Sequence, residues 1–446
     1  MKKLNFLIIT ILFCSNLTMA QSWNPVGSKA FSEGEAFDQC IAFDGETPYV
    51  AYMDRENGDK ATVMKFNGTS WEPVGTAGFT TGKVNSISFA ISSGTPYIAF
   101  SDEANENKAT VMKFNGLNWV NVGQAGFSPG TAYYVNLALN NGLPYVAFAD
   151  GDKYSKATVM KLDGASWSVV GSAGFSNSSA DVLSFAVDSG RPYIAYRDDN
   201  ANYKATVMKY ISTGWEVIGS AGFSGGTHDA YQCLAVYEGI PYVASWDSNA
   251  KATVYKFNGT NWVTLGNAGI SVGQASYISI CFSNVGIPYL AFSDKGDFNK
   301  VTVMKFEGGN WSNVGDAASS GDASYISIAI SNLGIPFVAY RDERSMRRTT
   351  VMKYSYVTQI NELNRNNKFS IYPNPSNGIF TVESTDLKDQ DYTIEITNQL
   401  GQVILSKQNY SSQKNQFDLS EKENGIYYIK LKNNKTEFLK KVCLLK

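Results

Sequence analysis

Seven of the eight tryptophans recur at a nearly constant interval, and this spacing constrains the fold more than any other feature of the chain. Each stands in a W-x-x-[VIL]-G segment, and together they are Trp23, Trp71, Trp119, Trp167, Trp215, Trp262 and Trp311. The successive intervals are 48, 48, 48, 48, 47 and 49 residues. Seven prolines, each followed by an aromatic residue, keep the same period from Pro48 to Pro336. A repeat of this length indicates a propeller or a solenoid.

Each period contains four strand-like runs, which we label A to D. In the second period, residues 86–91 alternate small and bulky side chains and predict strand A, and residues 97–100 predict strand B after a Gly-x-Pro turn. Residues 110–114 predict strand C, and Asn115-Gly116 favours a tight hairpin into strand D near Trp119. Four antiparallel strands in one period make a propeller blade. The β-branched, period-2 content excludes a helical solenoid.

The number of strands decides between an open array and a ring. There are seven A–B–C sets, but the seventh lacks a D strand, whereas an unpaired D-like segment begins at Trp23. We expect this segment to complete the seventh blade, because that exchange closes the ring and removes open sheet edges. The predicted fold class is therefore all-β: a seven-bladed β-propeller whose N-terminal strand closes the last blade, followed by a small C-terminal β-sandwich.

The N-terminal residues have the features of a secretory signal peptide. Lys2 and Lys3 precede an apolar run over residues 4–13, and Thr18-Met19-Ala20 is a small-x-small cleavage site. Ten apolar residues are too few for a transmembrane anchor, and no later stretch is long and apolar enough to span a membrane. We predict a signal peptide over residues 1–20, the propeller over 21–356, a polar linker over 357–368 and a C-terminal domain over 369–446.

Four motifs follow one another in this C-terminal segment: Tyr372-Pro373-Asn374-Pro375-Ser376-Asn377-Gly378, Asn398-Gln399-Leu400-Gly401-Gln402, Asn424-Gly425-Ile426-Tyr427-Tyr428 and Lys440-Lys441-Val442. With them the segment resembles the type A C-terminal sorting domain of the type IX secretion system of Bacteroidota. The resemblance implies Sec export, then passage across the outer membrane with the type IX machinery as partner. It places the protein outside the cell or on the outer-membrane surface. An accessory sandwich that binds a ligand is the alternative. The repeats show a loose similarity to lectin propellers of the tectonin class.

Composition excludes several classes of partner. The formal net charge is -2, which gives no case for binding nucleic acid or an anionic membrane. Cys40, Cys233, Cys281 and Cys443 lie in different repeats or domains without CxxC spacing, so we expect small buried side chains and no disulfide framework. Together with a single histidine, they predict neither a zinc site nor a cofactor.

A charge pair also repeats in every blade. An aspartate ends each strand B, as Asp54 does, and a basic residue begins each strand C, as Lys60 does. We expect an ion pair that clamps the B–C loop, since a metal or anion site in every blade would need a recognisable loop pattern. The loops do not match the EF-hand calcium pattern.

Residues that are alike in all repeats are expected to hold the fold, and residues that differ are candidates for function. The B–C and D–A loops share one face, around the channel mouth, and the repeats differ most where strand A begins. The predicted ligand-binding residues at this rim are Asp38, Asn85, Tyr133, Tyr134, Asp181, His228, Asp229, Tyr231, Tyr277 and Tyr325. Aromatic faces mixed with polar groups suit a sugar or a peptide. The alternative is that the tyrosines only plug the channel.

No recognisable catalytic set accompanies these residues. The sequence has no Asp-box, and His228 with Asp229 would need a serine partner at contact distance. We therefore predict a non-catalytic extracellular binding or adhesion protein with a carbohydrate or protein ligand. The alternative is a surface glycan-active hydrolase or lyase that uses rim carboxylates, drawn from Asp38, Asp181, Asp229 and Asp322.

Overall fold

The computed structural model describes residues 21–226, 231–356, 369–384, 392–398, 402–410, 414–432 and 437–445. The predicted signal peptide and linker lie outside the described residues, as do His228 and Asp229. Contacts divide the chain into two units, of which the first ends at Tyr356 and the second contains the described residues from 369 onward. Within the described ranges, no helix has the length and apolar character needed to cross a membrane.

The first unit is all-β and consists of seven four-stranded antiparallel sheets. The N-terminal strand β1 spans Gln21–Pro25. Sheet 1 comprises β2 (Ala36–Asp44), β3 (Thr47–Asp54), β4 (Lys60–Phe66) and β5 (Trp71–Pro73). Sheet 2 comprises β6 (Val84–Ser92), β7 (Thr95–Asp102), β8 (Lys108–Phe114) and β9 (Trp119–Asn121). Sheet 3 comprises β10 (Ala132–Asn140), β11 (Leu143–Asp150), β12 (Lys156–Asp163) and β13 (Ser166–Val169).

The remaining sheets repeat this order. Sheet 4 comprises β14 (Ala180–Asp188), β15 (Arg191–Asp198), β16 (Lys204–Ile211) and β17 (Gly214–Val217). Sheet 5 comprises β18 (Cys233–Tyr237), β19 (Ile240–Trp246), β20 (Ala252–Phe257) and β21 (Trp262–Thr264). Sheet 6 comprises β22 (Ala275–Phe282), β23 (Pro288–Asp294), β24 (Lys300–Glu307) and β25 (Asn310–Asn313). Sheet 7 comprises β26 (Ala323–Ile330), β27 (Pro336–Asp342), β28 (Arg348–Tyr356) and β1. Single-turn 3-10 helices occupy four B–C loops, at Glu103–Asn105, Gly151–Lys153, Asp199–Ala201 and Lys295–Asp297.

The N-terminal strand belongs to the last sheet. Trp23 lies opposite Tyr354 and Pro25 opposite Met352, in an antiparallel register that runs the whole length of β1. The first strand of each sheet packs against the first strand of the next, and β26 packs against β2. Side chains from neighbouring sheets form the cores between them, as Val63 of sheet 1 does with Phe89 and Ile98 of sheet 2.

The repeated tryptophans connect neighbouring sheets. Each indole Nε1 donates a hydrogen bond to a backbone carbonyl that follows or ends the fourth strand of the preceding sheet. The bonds are Trp23 to Val314 (2.8 Å), Trp71 to Val26 (2.7 Å), Trp119 to Val74 (2.7 Å), Trp167 to Val122 (2.9 Å), Trp215 to Val170 (2.8 Å), Trp262 to Ile218 (2.8 Å) and Trp311 to Leu265 (2.7 Å). A buried indole needs such a partner, which explains why one residue type recurs at this position.

Serines on the first strands form a second set of links between sheets. Each serine Oγ accepts a hydrogen bond from a backbone N–H on the first strand of the following sheet. The pairs are Ser88 with Leu137 (2.9 Å), Ser184 with Leu234 (2.9 Å), Ser279 with Ile328 (3.3 Å) and Ser327 with Ile41 (3.2 Å). The last pair joins sheet 7 to sheet 1, so the contact between the first and last sheets uses the same bond as the internal junctions.

The predicted ion-pair clamp across each B–C loop is wrong. Asp54 does lie opposite Lys60 in the strand register, but its Oδ2 accepts hydrogen bonds from Thr62 Oγ1 (2.8 Å) and Asn57 Nδ2 (2.9 Å). None of the ion pairs among the described residues joins the two repeated positions. The aspartate is buried, and neutral side chains supply the two hydrogen bonds to its Oδ2 in place of the lysine ammonium.

The second unit contains two sheets around one core. One sheet comprises β29 (Phe369–Tyr372), β30 (Ile379–Ser384) and β33 (Lys414–Asp418). The other comprises β31 (Tyr392–Thr397), β32 (Val403–Tyr410), β34 (Gly425–Lys432) and β35 (Glu437–Leu444). Phe380 and Phe417 from the first sheet share a core with Ile394 and Ile429 from the second. The Asn374 amide accepts from the Cys443 N–H (2.9 Å) and donates to the Lys441 carbonyl (3.0 Å), which ties the first motif to the last strand.

Candidate functional site

Four of the predicted rim residues, namely Asp38, Tyr134, Tyr277 and Tyr325, lie at a bulge near the start of strand A. In sheet 1, Asp38 and Gln39 together lie opposite Tyr52, and Asp38 adopts a positive φ of 53°. The same positive φ occurs at Ser86, Tyr134, Val182, Tyr277 and Tyr325, and Tyr231 holds the equivalent sequence position ahead of β18. A bulge redirects one side chain out of the regular alternation of a strand. The bulges therefore aim one variable side chain per sheet at the same rim.

Five aromatic residues form a continuous row along this rim, which we call the aromatic arc. Its ring centroids are separated by 5.9 Å from Trp246 to Tyr231, 5.0 Å from Tyr231 to Tyr277, 5.1 Å from Tyr277 to Tyr325 and 5.8 Å from Tyr325 to Phe37. The arc spans sheets 5, 6, 7 and 1. Edge and tilted contacts at these distances are favourable and hold each ring in place.

The guanidinium of Arg341 lies against two rings at one end of the aromatic arc. Its central carbon lies 4.8 Å from the Phe37 centroid and 4.7 Å from the Tyr325 centroid. Its Nε donates to Ser324 Oγ (3.0 Å) and Glu343 Oε1 (2.7 Å), and its side chain is 11% exposed. Contacts with two rings and an ion pair with Glu343 orient the guanidinium before any ligand arrives.

Burial raises the pKa values of two carboxyl groups and one phenol near Arg341. It raises the pKa of Asp38, against the opposing effects of the Ile87 and Ser86 backbone N–H groups and of the Arg341 charge. It also raises the pKa of Asp322, to which the nearby Glu343 charge adds. The pKa of Tyr325 is raised as well, first by burial and then by Asp38. The Tyr325 phenol is therefore a neutral hydrogen-bonding group and not a general base at neutral pH.

A second group of rim residues lies where sheets 3 and 4 meet, and we call it the second rim cluster. It contains Tyr133, Tyr134, Asp181 and Arg197. Arg197 Nη2 and Asp181 Oδ2 form an ion pair of 2.9 Å, and the two tyrosines are 48% and 40% exposed. Burial and the Asp181 charge raise the pKa of Tyr134, and Arg197 opposes them, which places all three groups within electrostatic reach of one another.

The structure thus divides the predicted rim residues. Asp38, Tyr231, Tyr277 and Tyr325 lie in or beside the aromatic arc, and Tyr133, Tyr134 and Asp181 lie in the second rim cluster. Asn85 lies exposed in β6 and joins neither group.

The sequence prediction missed Arg197, Trp246 and Arg341. All three occupy the position just before the repeated aspartate, which ends strand B or follows it directly. In the case of the two arginines, this position lies directly opposite the residue that precedes the bulge. Met53, Ser101, Ala149 and Ser293 hold this position in the other sheets. The variation itself was a signal, since charged or aromatic side chains stand there in only three sheets.

Comparison with known families identifies the second unit. Residues 370–444 match the secretion system C-terminal sorting domain. The match confirms the resemblance to the sorting domain of the type IX secretion system and indicates export to the cell surface or the extracellular space. None of the curated proteins matches the sequence.

Two solved structures are similar to this chain. A fungal lectin from Aleuria aurantia, described as a six-bladed β-propeller with a novel fucose recognition mode, is 14% identical, with a TM-score of 0.46 over 66% of this chain and 98% of the lectin. An ulvan lyase, a polysaccharide lyase, is 13% identical, with a TM-score of 0.50 over 75% of this chain and 95% of the lyase. Similarity at this level of identity shows the fold alone.

Proposed function

We propose that this chain is a non-catalytic carbohydrate-binding protein of the cell surface or the extracellular space, with its sugar site at the aromatic arc. The observation that carries the proposal is Arg341 held against the rings of both Phe37 and Tyr325. The C–H face of a sugar ring packs on an aromatic side chain, while its hydroxyls need donors and acceptors of fixed direction. The arc offers rings in a row, Arg341 as donor and Asp38 as acceptor.

The scaffold in this proposal is a closed seven-bladed propeller over residues 21–356. The pairing of β1 with β28 and the bond from Ile41 to Ser327 (3.2 Å) support closure between the first and last sheets. A signal peptide over residues 1–20, a linker over 357–368 and a sorting domain over 369–446 complete the proposed organisation. The sorting domain interacts with the type IX machinery, so deletion of residues 369–446 is expected to retain the protein in the periplasm.

A sugar suits the aromatic arc better than a protein ligand does. Stable protein interfaces bury about 800 Å² on each partner and usually place aromatic anchors on an open surface. Here the arc residues Tyr231, Tyr277 and Tyr325 are half-buried and pack mainly on one another. Their partly exposed surface suits a small polar ligand better than a flat protein surface.

A glycan-active hydrolase or lyase is the second candidate, and one observation favours it. The pKa values of Asp38 and Asp322 are both raised by burial, as the general acid of a glycosidase requires. The neutral state of Tyr325 and the ion pair that occupies Glu343 argue for binding without catalysis. The two functions differ in whether a polysaccharide is shortened.

Binding of sugars by purified full-length protein tests the proposal. The probes are the methyl glycosides of glucose, galactose, mannose, fucose and N-acetylglucosamine, titrated by calorimetry. For a sugar that binds, Arg341→Ala and Tyr325→Ala should each weaken affinity about tenfold or more, since a charge-assisted hydrogen bond or a ring contact contributes about 1–3 kcal/mol. Arg191→Ala, at the exposed first residue of β15 in sheet 4, is the matched control and should bind normally.

Two results would overturn the proposal. Unchanged affinity in both arc variants would remove the sugar site from the arc. Reducing ends released from a polysaccharide by the wild type and lost in Asp38→Asn would replace binding by catalysis.

A further inference from the structure

We infer that the second rim cluster is a separate carbohydrate site, so that one chain binds two sugar units at once. This inference rests on the proposed carbohydrate-binding function. The second rim cluster contains the same kinds of groups as the aromatic arc: exposed rings in Tyr133 and Tyr134, an oriented guanidinium in Arg197 and a carboxylate in Asp181. Neither group of residues is needed to complete the other.

The repeat separates the two sites on both sides. Tyr134 is the bulge residue of sheet 3, and the neighbouring bulges carry Ser86 in sheet 2 and Val182 in sheet 4. Neither neighbour has a ring, so the row of aromatic contacts that joins Tyr231 to Phe37 does not continue to Tyr134 among the described residues. A ligand on Tyr134 therefore has no shared aromatic surface with a ligand on the arc.

The arginines mark the two sites as equivalent. Arg197 and Arg341 occupy the same position of the repeat, next to the aspartate that ends the second strand of the sheet. Each guanidinium is oriented by one carboxylate, at 2.9 Å from Asp181 for Arg197 and at 2.7 Å from Glu343 for Arg341. Sheets 4 and 7 are three steps apart in the order of sheets, so the arginines lie on opposite sides of the proposed ring.

Exposure distinguishes a site from a channel plug. A plug would bury its rings, whereas Tyr133 is 48% exposed and Tyr134 is 40% exposed. Tyr134 lies within electrostatic reach of the Arg197–Asp181 ion pair, whose partners are themselves partly exposed. The cluster thus presents an aromatic face, donors and acceptors to solvent, which is the set of groups that a pyranose ring requires.

The stoichiometry of sugar binding tests the inference. The full chain is titrated by calorimetry with the same methyl glycosides, as wild type, Tyr134→Ala, Arg341→Ala and the double variant. We expect two sugar molecules per wild-type chain, one for each single variant and none for the double variant. Tyr134→Ala removes an exposed ring and leaves the Arg197 ion pair in place, so the variant should fold.

The outcomes separate this inference from the function on which it rests. One sugar per wild-type chain, unaffected by Tyr134→Ala, would overturn the second site and keep the first. Loss of all binding in Arg341→Ala would show that the two clusters form one site, which also overturns the inference. If the wild type binds none of the glycosides, the proposed function itself is wrong.

Discussion

Closure between the first and last sheets can be tested with one hydroxyl group. Ser327 Oγ in sheet 7 accepts a hydrogen bond from the Ile41 N–H in sheet 1 at 3.2 Å, and Ile41 is buried. Ser327→Ala removes the acceptor and leaves that N–H without a partner. A buried polar group without a partner costs about 1–3 kcal/mol. Because the bond is long, we expect the lower part of that range, about 1–2 kcal/mol.

The assay is thermal unfolding of the full chain with two matched variants. Ser279→Ala removes the equivalent bond to Ile328 (3.3 Å) at the junction of sheets 6 and 7, so it should cost as much as Ser327→Ala. Ser312→Ala changes an exposed serine in β25 and should have little effect. A cost of about 1–2 kcal/mol corresponds to a fall in Tm of about 2–4 °C in a large domain. If Ser279→Ala lowers Tm and Ser327→Ala does not, the ring is open in solution and the reasoning is refuted.

Three further predictions concern single side chains. Trp119→Phe removes the indole N–H that bonds to the Val74 carbonyl (2.7 Å) and should lower the free energy of unfolding by about 1–3 kcal/mol, measured with urea. Trp167 is only half-buried, so Trp167→Phe should lower the free energy of unfolding by no more than Trp119→Phe does. Cys40 should react with a disulfide reagent at pH 8 only after unfolding, because burial raises the pKa of its thiol to about 12, and rapid reaction of the folded protein would contradict this. Asp38→Asn should raise Tm at neutral pH, because burial raises the pKa of Asp38 and penalises its charged form in the folded state. The gain in Tm should vanish below pH 3.8, where the carboxyl is neutral in both the folded and the unfolded state. A lower Tm of the variant at pH 7 would refute this.

Periodicity made the strands and the role of β1 predictable. Trp23 has the sequence context of a fourth strand, and the pairing of β1 with β28 agrees with that expectation. The rim was also predictable, because variable residues in a repeat stand out against invariant ones. Tyr277 and Tyr325 were therefore found without coordinates, and their rings lie 5.1 Å apart.

Contacts between distant repeats were not predictable from the sequence. Arg341 of sheet 7 contacts the ring of Phe37, which belongs to sheet 1, and no local sequence pattern predicts that contact. The predicted ion pair across the B–C loop was wrong for a different reason. Strand register places Asp54 opposite Lys60 as expected, but burial of the carboxylate favours neutral donors such as Thr62. Opposite charges at paired positions do not ensure an ion pair when one of them is buried.

The pairing of β1 with β28 also sets the order of events in time. β1 is the first strand of the unit in chain order, whereas its partner strand β28 ends at Tyr356, the last residue of the unit. β1 can therefore pair with β28 only after all the intervening repeats are present. Contacts between such distant residues form slowly, because a long loop must close before they can contribute. The final sheet therefore becomes complete only when the chain next to the sorting domain has also emerged. Because residues 370–444 follow Tyr356 in the chain, we expect the last sheet to be completed at about the stage at which the sorting domain emerges.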